Sequence, residues 1–278
     1  MTFYRVSPTG SDASLTGSFS APWQTLGKLA DVFTQDKPFV GGDIIVIDPG
    51  VTHDSSGVPL LFSGNDFASK VKIIMGGGGL GDKPEITGND TDIGVTISNV
   101  TNLQISDWVI RNANDYGLAT NLVTDIVIHG FEIKDIIGTG IGFSYYDQDL
   151  DEGRDFIVEH CYVHDTTGDG TTSISAIRTQ VRYCHFKNHG IGQASNLVDG
   201  VAFHGVKKDF CEVHHCIIEN VEGKSGIGAN FNGALVEYTG YTWNINASAQ
   251  TIEKSGGPAW SAGYSVGDYF KVTSAEDP

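Results

Sequence analysis

Apolar and polar positions recur along this chain in a fixed pattern of short segments. Five seven-residue segments align without gaps and begin 23, 30, 23 and 32 residues apart, at Gln104, Val127, Ile157, Gln180 and Glu212. Repeats of this length are typical of a solenoid, in which short coils here alternate with coils that carry an extra loop. The apolar second positions are Ile105, Ile128, Val158, Val181 and Val213, and the apolar seventh positions are Ile110, Ile133, Val163, Phe186 and Ile218.

A polar column follows these segments. Two positions after each segment the chain has Asn or Asp, at Asn112, Asp135, Asp165, Asn188 and Asn220. These residues tolerate a left-handed backbone, and stacked amides can bond each other along an axis. A glycine and another apolar strand come next in each repeat, which gives three short strands per coil. The pattern predicts an all-β protein, a single-stranded right-handed parallel β-helix.

The pattern divides the chain into three parts. Residues 1–40 are predicted to hold a strand and a helix that caps the solenoid, because Pro22 suits a first helical position and apolar residues follow at helical spacing. Those apolar residues are Leu26, Leu29, Ala30 and Phe33. The coils are expected at residues 41–234. From 235 to 278 the period stops, so we expect an irregular β excursion or hairpin and a natural chain that continues past Pro278.

Charge and composition exclude several functions. The 278 residues carry a formal charge of −17, which repels a polyanion, so nucleic acid is not an expected partner. No apolar run is long enough to span a membrane, and the opening residues lack the pattern of a signal peptide. The four cysteines are too few for a disulfide framework, and we interpret them as small core residues. They are Cys161, Cys184, Cys211 and Cys216.

Several stretches resemble a known group of proteins. "FYRVSPTGSD", "SAPWQTLGKLAD", "VIHGFEIKD" and "VEHCYVHD" resemble the pectate-lyase-like superfamily of right-handed β-helix proteins, over roughly residues 3 to 233. That superfamily includes polysaccharide lyases, glycoside hydrolases, uronan epimerases and phage tailspikes. The resemblance implies that substrate lies along the outer face of the strand after the glycine, between variable loops. No linear catalytic signature of one family is intact, so no family's catalytic residues are carried over.

Two aspartates are the first catalytic candidates. Asp169 and Asp199 each precede the glycine that opens this strand, on neighbouring coils. Stacked strands are about 4.8 Å apart, so the two carboxylates are expected roughly 5 Å from each other. Such a pair can provide an acid and a base, at the separation of a retaining glycosidase, or can share a metal. The alternative is ordinary Asp-Gly turn chemistry.

Basic residues near the same strand are the second candidates. His204, Lys207 and Arg178 are predicted to supply the base and the cation that a lyase needs to remove a proton next to a uronate carboxylate. His204 is expected on the groove floor, because Val201 and Phe203 alternate with it. A solvated surface charge is the alternative for Lys207 and its neighbour Lys208.

An acidic loop and four further side chains complete the predicted site. Asp147, Asp149 and Asp151 alternate like the start of a calcium loop, although Gly153 and Val158 exclude an EF-hand. The alternative is an exposed acidic loop. The residues predicted to bind substrate are Tyr145, Tyr146, His189 and Asn230.

These observations together predict a carbohydrate-active enzyme, a polysaccharide lyase or glycoside hydrolase. It would need no cofactor, with Ca²⁺ as the one metal that the acidic loop suggests. The alternatives are a phage tailspike or receptor-binding protein, and a non-enzymatic glycan-binding surface repeat. The expected partner is a polysaccharide and the expected location is extracellular or on a virion surface. The chain would be a monomer, or a homotrimer if it is a tailspike.

Overall fold

The structure, a computed structural model, describes most of the chain. The described residues are 1–55, 58–77, 83–89, 92–143, 154–174, 178–192, 198–204, 211–222, 225–230, 234–238, 243–246, 251–254 and 269–274.

Strands dominate the structure. The first twelve strands are β1 (Phe3–Val6), β2 (Ile44–Ile47), β3 (Thr52–Asp54), β4 (Leu60–Met75), β5 (Glu85–Thr87), β6 (Ile93–Ser106), β7 (Val109–Arg111), β8 (Tyr116–Asn121), β9 (Thr124–His129), β10 (Glu132–Ile136), β11 (Thr139–Phe143) and β12 (Arg154–Glu159). The others are β13 (Tyr162–Thr166), β14 (Thr171–Ile174), β15 (Gln180–Arg182), β16 (His185–His189), β17 (Asp199–His204), β18 (Cys211–His214), β19 (Ile217–Val221), β20 (Ser225–Asn230), β21 (Ala234–Tyr238), β22 (Trp243–Asn246), β23 (Thr251–Lys254) and β24 (Tyr269–Ser274).

The coils form three parallel sheets. The first sheet contains β8, β11, β14, β17 and β20; the second contains β9, β12, β15 and β18; the third runs from β3 through β5, β7, β10, β13 and β16 to β19. The long strands β4 and β6 pass from the first sheet into the second, since the start of β6 pairs with β8 and its end with β9. Each coil therefore adds one strand to each sheet, which confirms the predicted right-handed parallel β-helix.

The register confirms the predicted apolar columns. In the second sheet the second positions of the five segments are paired from Ile105 to Val213, and in the third sheet the seventh positions are paired from Ile110 to Ile218. All ten side chains are buried. Burial of each such side chain contributes about 1.5 to 3 kcal/mol, so these two columns contribute much of the hydrophobic stabilisation.

The polar column also has the predicted conformation. All five residues from Asn112 to Asn220 have φ between 53° and 58°, in the left-handed region. The Asn188 amide donates to Asp165 Oδ1 at 2.8 Å, and the Asn220 amide donates to Asn188 Oδ1 at 3.0 Å. We name this column the amide ladder. It turns the chain after each strand of the third sheet and ties successive coils together.

The N-terminal helix begins later than the sequence indicated. It spans Leu26–Asp31, and its N-cap is Thr25, whose hydroxyl accepts a hydrogen bond from the Lys28 N–H at 3.1 Å. Pro22 therefore precedes the helix and is not its first residue, because the Thr25 hydroxyl satisfies the first turn. A π-helical turn, Val32–Asp36, follows. The predicted apolar face is buried, as expected, and the helix contacts β3 and β4. Its capping of the solenoid stays a prediction.

The last strands leave the parallel pattern. Strand β24 pairs antiparallel with both β18 and β21, and β22 pairs antiparallel with β23. The proposed boundaries at residues 40 and 234 stay a prediction. Among the described residues, no helix is both long and apolar enough to cross a membrane.

Candidate functional site

The predicted aspartate pair lies at the start of two adjacent strands of the first sheet. Thr171 is paired with Val201, so Asp169 and Asp199 occupy matching positions on successive coils, as the sequence indicated. Asp169 Oδ1 accepts a hydrogen bond from the Asp199 N–H at 2.7 Å, and Asp199 is 1% exposed. This hydrogen bond joins successive coils, so it does not test the alternative of local Asp-Gly turn chemistry. A catalytic role for the pair stays a prediction.

Other predicted residues are only partly described. His204 and Asn230 are paired across β17 and β20, and Val201, Ala202 and Phe203 are all buried, so the outward position of His204 stays a prediction. The side chains of His204 and Asn230 are outside the described part of the structure. So are Tyr145, Tyr146, Asp147, Asp149, Asp151 and Lys207. In the part of the chain that is described, no three potential ligands are grouped for a metal ion.

His189 lies inside the coils. It is 0% exposed, and Thr166 Oγ1 lies 2.7 Å from its Nδ1. The Thr166 hydroxyl donates to the Gly168 carbonyl at 2.7 Å, which leaves it to accept from an Nδ1–H. Burial lowers the pKa of His189 to about 3, so the ring is neutral. In this conformation the side chain does not reach a polymer on the outer surface.

Arg178 lies at an open depression beside the second sheet. The depression has a volume of about 440 Å³ and is lined by Asp125, Asp155, Ile157, Arg178, Gln180 and Glu212. It is located where the chain enters the second sheet from the first. The connections at this corner differ most in length, from two residues after β8 to ten after β11. Connections of variable length on a rigid scaffold are where binding sites commonly occur.

Four residues on successive coils form one column, and three of them, Asp125, Asp155 and Arg178, line this depression. Asn102, Asp125, Asp155 and Arg178 occupy matching positions at the start of the second-sheet strands. Their φ angles are between 54° and 62°, so all four are left-handed. Asn and Asp adopt this conformation readily, but for Arg178 it costs roughly 1 to 2 kcal/mol. We name these four residues the charged column.

Two carboxylates in the charged column are adjacent, and each is held by a cation. Arg178 donates to Asp155 through Nε at 2.6 Å and Nη2 at 2.5 Å. On the other side Lys70 Nζ donates to Asp125 Oδ1 at 2.5 Å. Asp125 and Asp155 are 40% and 37% exposed, so both reach solvent. Neighbouring strands lie about 4.8 Å apart, which places two accessible carboxylates within reach of one ligand.

Further charged groups extend the site along the outer surface of the second sheet. Glu159 accepts hydrogen bonds from Arg182 Nε at 2.8 Å and lies 3.1 Å from His129 Nδ1. Burial raises the pKa of Glu159, but the hydrogen bonds and charges of Arg182 and His129 outweigh burial and lower it. Arg182 also donates to Gln180 at 3.1 Å, which connects this group to the depression.

Sequence comparisons identify no relative. No family model matches the chain, and no curated protein sequence matches it. Structural comparisons do find similar proteins, all at low identity. A pectate lyase, Pel9A, has a TM-score of 0.55 and 11% identity, over 83% of this chain and 68% of the lyase.

Two other solved structures have a fold similar to that of this chain. A GH136 lacto-N-biosidase from Eubacterium ramulus has a TM-score of 0.55 and 14% identity, over 83% of this chain and 55% of that protein. XylC, in complex with xylose, has a TM-score of 0.59 and 10% identity, over 83% of this chain and 60% of XylC. The chain has the fold of the pectate-lyase-like β-helix proteins. At identities this low, the likeness shows only that the fold is shared. The chemistry of this chain has to be inferred from its own residues.

Asp125 and Asp155 were not among the residues that the sequence indicated for this β-helix. Their signal was present in the repeat, since the residues two positions before each seven-residue segment are Asn102, Asp125, Asp155, Arg178 and Phe210. The resemblance instead implied a site on the strand after the glycine. Among the predicted residues that the structure describes, Arg178 alone also lines the depression.

Proposed function

We propose that this protein is a carbohydrate-active β-helix enzyme that cleaves a polysaccharide in the depression beside the second sheet. The observation that carries the proposal is the pair of solvent-accessible carboxylates on successive coils, Asp125 and Asp155, each held by a cation. The sequence-predicted candidates Asp169, Asp199, His204 and Lys207 form a competing proposal for the same activity on the first sheet.

The charged column suits two kinds of sugar chemistry. Carboxylates about 5 to 5.5 Å apart are typical of retaining glycosidases, in which one residue is the nucleophile and the other the acid and base. A lyase instead requires one base and a cation that stabilises the negative charge that develops next to a uronate carboxylate. Arg178 can provide that cation, since its guanidinium binds carboxylates with two parallel hydrogen bonds.

Two independent observations support a polysaccharide as the partner. The structural neighbours named above are a lyase of pectate, a lacto-N-biosidase and a protein with bound xylose. Beside the depression, Gln180, Arg182 and Glu159 form a hydrogen-bonded row, which offers several hydrogen-bonding groups to successive sugars. An extracellular or virion-surface location and a Ca²⁺ requirement of the acidic loop are further parts of this proposal.

The test is a panel of neutral and uronate-containing polysaccharides. Lyase activity is measured by the ultraviolet absorbance of unsaturated products, and hydrolase activity by new reducing ends, each with and without EDTA. We expect one class of polymer to be cleaved. Intact polymers that nevertheless bind the protein would replace the enzyme by a glycan-binding protein, and loss of cleavage with EDTA would add the calcium site.

The choice between the two sites is tested with matched variants. Asp155→Asn and Asp125→Asn should remove cleavage, while Asp169→Asn should retain it. The opposite result would move the active site to the first sheet.

A further inference from the structure

Three cysteines lie on successive coils at one bend of the β-helix. The His185 N–H donates to the Cys161 carbonyl at 2.8 Å, and the Ile217 N–H donates to the Cys184 carbonyl at 2.9 Å. These bonds place Cys161, Cys184 and Cys216 in a single column between the second and third sheets. The column continues Trp108 and Phe131, so the thiols take the place of aromatic rings in the core.

The three thiols differ in exposure and in proton affinity. Cys161 and Cys184 are each 2% exposed, whereas Cys216 is only partly buried. Burial, and then hydrogen bonds with both neighbouring cysteines, raise the pKa of Cys184 well above its usual value. A hydrogen bond from Cys184 lowers the pKa of Cys216, although burial opposes it. Cys216 is therefore the more reactive thiol, since the thiolate is the nucleophile.

We propose that Cys184 and Cys216 are a site of oxidation, at which a small-molecule disulfide such as oxidised glutathione converts the two thiols into a disulfide. Neighbouring strands lie about 4.8 Å apart, and Cα atoms of about 4.4 to 6.8 Å separation can be bridged. The bond therefore forms without breaking the parallel register. Neither thiol belongs to the polysaccharide site.

The reaction balances in two exchanges. The Cys216 thiolate attacks one sulfur of oxidised glutathione, which forms a mixed disulfide and releases one glutathione thiolate that takes up the proton. The Cys184 thiol then loses its proton and attacks Cys216 Sγ, which forms the protein disulfide and releases the second glutathione. Two protein thiols are oxidised, and one molecule of oxidised glutathione is reduced to two of glutathione.

The disulfide between Cys184 and Cys216 would link the last coils of the third sheet and stabilise them. It closes a loop from residue 184 to residue 216, which restricts the unfolded chain. Disulfides of this kind raise the melting temperature of a protein of this size by roughly 5 to 10 °C.

The test uses the full chain, folded and incubated with oxidised glutathione. We expect the intact mass to fall by two hydrogens, peptide mapping to find Cys184 linked to Cys216, and the melting temperature to rise. Retention of all thiols in the folded wild-type protein, or a link to Cys161 or Cys211 instead, would overturn the proposal.

Two variants identify the order of the steps. Cys161→Ser should still form the link. Cys184→Ser should stop at a stable glutathione adduct on Cys216, and an adduct on Cys161 instead would contradict the assignment of the attacking thiol. The wild-type peptide map decides the proposal even if one variant does not fold.

Discussion

The amide ladder and the charged column are two stacks of left-handed residues at two corners of one β-helix. In the amide ladder, amides donate from one coil to the next, as from Asn188 to Asp165 and from Asn220 to Asn188. In the charged column, Asp125 and Asp155 form ion pairs beside an open depression, and a left-handed arginine replaces Asn or Asp. The backbone requirement is the same, but the side chains bond through neutral amides in one stack and through ion pairs in the other.

We interpret this difference as one between a structural stack and the stack that we propose to be functional. A residue in the left-handed region costs least as Gly, Asn or Asp, so Arg178 at this position is not explained by the turn. Backbone strain of this kind is concentrated at functional sites, where the side chain is needed. We therefore expect changes in the amide ladder to lower stability and changes in the charged column to lower activity.

The largest expected effect is the loss of activity on neutralising the carboxylates. Asp155→Asn and Asp125→Asn should each lower kcat by about 100- to 10,000-fold on the cleaved polymer, since an acid or base contributes this much. The melting temperature should stay within a few degrees, because both residues are exposed and Asn tolerates the left-handed backbone.

The matched control is Asp135→Asn, which makes the same change in the amide ladder. It should leave kcat unaltered. Equal losses in Asp135→Asn and Asp155→Asn would erase the distinction between the two stacks.

The next largest effect is expected on the pH dependence of the free energy of unfolding. It comes from His189, the residue after Asn188 of the amide ladder. Its pKa is about 3 in the folded protein, against an ordinary value of 6.5 for an exposed histidine, so between these values only the unfolded chain binds the proton. The free energy of unfolding should fall by about 1.4 kcal/mol for each pH unit below 6.5, and be independent of this residue above it. Urea unfolding at pH 7, 6 and 5 measures the slope.

His189→Gln should reduce that slope. His185→Gln, on the outer surface of the same strand, is the control and should keep it. A slope unaltered in His189→Gln would show that the buried ring does not cause the acid sensitivity.

A smaller effect is expected from breaking the amide ladder itself. Asn188→Ala removes two amide hydrogen bonds and places alanine in a left-handed position, which should cost about 2 kcal/mol. Asn188→Gly removes the same bonds without the backbone cost, so about 1 kcal/mol is expected. Denaturant midpoints measure both, and equal losses would mean that the left-handed backbone contributes nothing.

The smallest change in stability is expected at Arg178. Arg178→Gly loses an exposed ion pair worth about 0.2 to 1 kcal/mol, and its relief of roughly 1 to 2 kcal/mol of backbone strain is partly offset by about 0.5 to 1 kcal/mol from the greater freedom of glycine in the unfolded chain. Unfolding should therefore differ by less than about 0.5 kcal/mol, while activity falls by roughly tenfold or more. A variant with full activity would remove Arg178 from the site.

Much of the fold could be predicted because its signals are local and repeated. The columns from Ile105 to Val213 and from Asn112 to Asn220 needed only β-branched spacing and turn chemistry. The predicted start of the helix was wrong. Thr25 caps the helix, whereas the prediction took Pro22 as its first residue. The burial of His189 was missed because the left-handed Asn188 before it reverses the alternation of the strand.

The site was harder to predict because it depends on contacts between distant coils. Lys70 and Asp125 are 55 residues apart, and no local pattern indicates that their side chains meet. Asp169 and Asp199 in the first sheet were predicted as a pair because neighbouring coils bring them together, and the register confirms that they are adjacent. Burial of Asp199 and its bond to Asp169 depend on the shape of the turn, which the repeat alone does not specify.

The most direct measurement is a crystal structure of Asp155→Asn with an oligosaccharide from the polymer that the wild-type protein cleaves. The sugar should occupy the depression beside the second sheet, with a hydroxyl or carboxylate bound to Arg178 and another group near Gln180. A sugar bound instead on the first sheet, over Asp169 and Asp199, would contradict the assignment of the charged column.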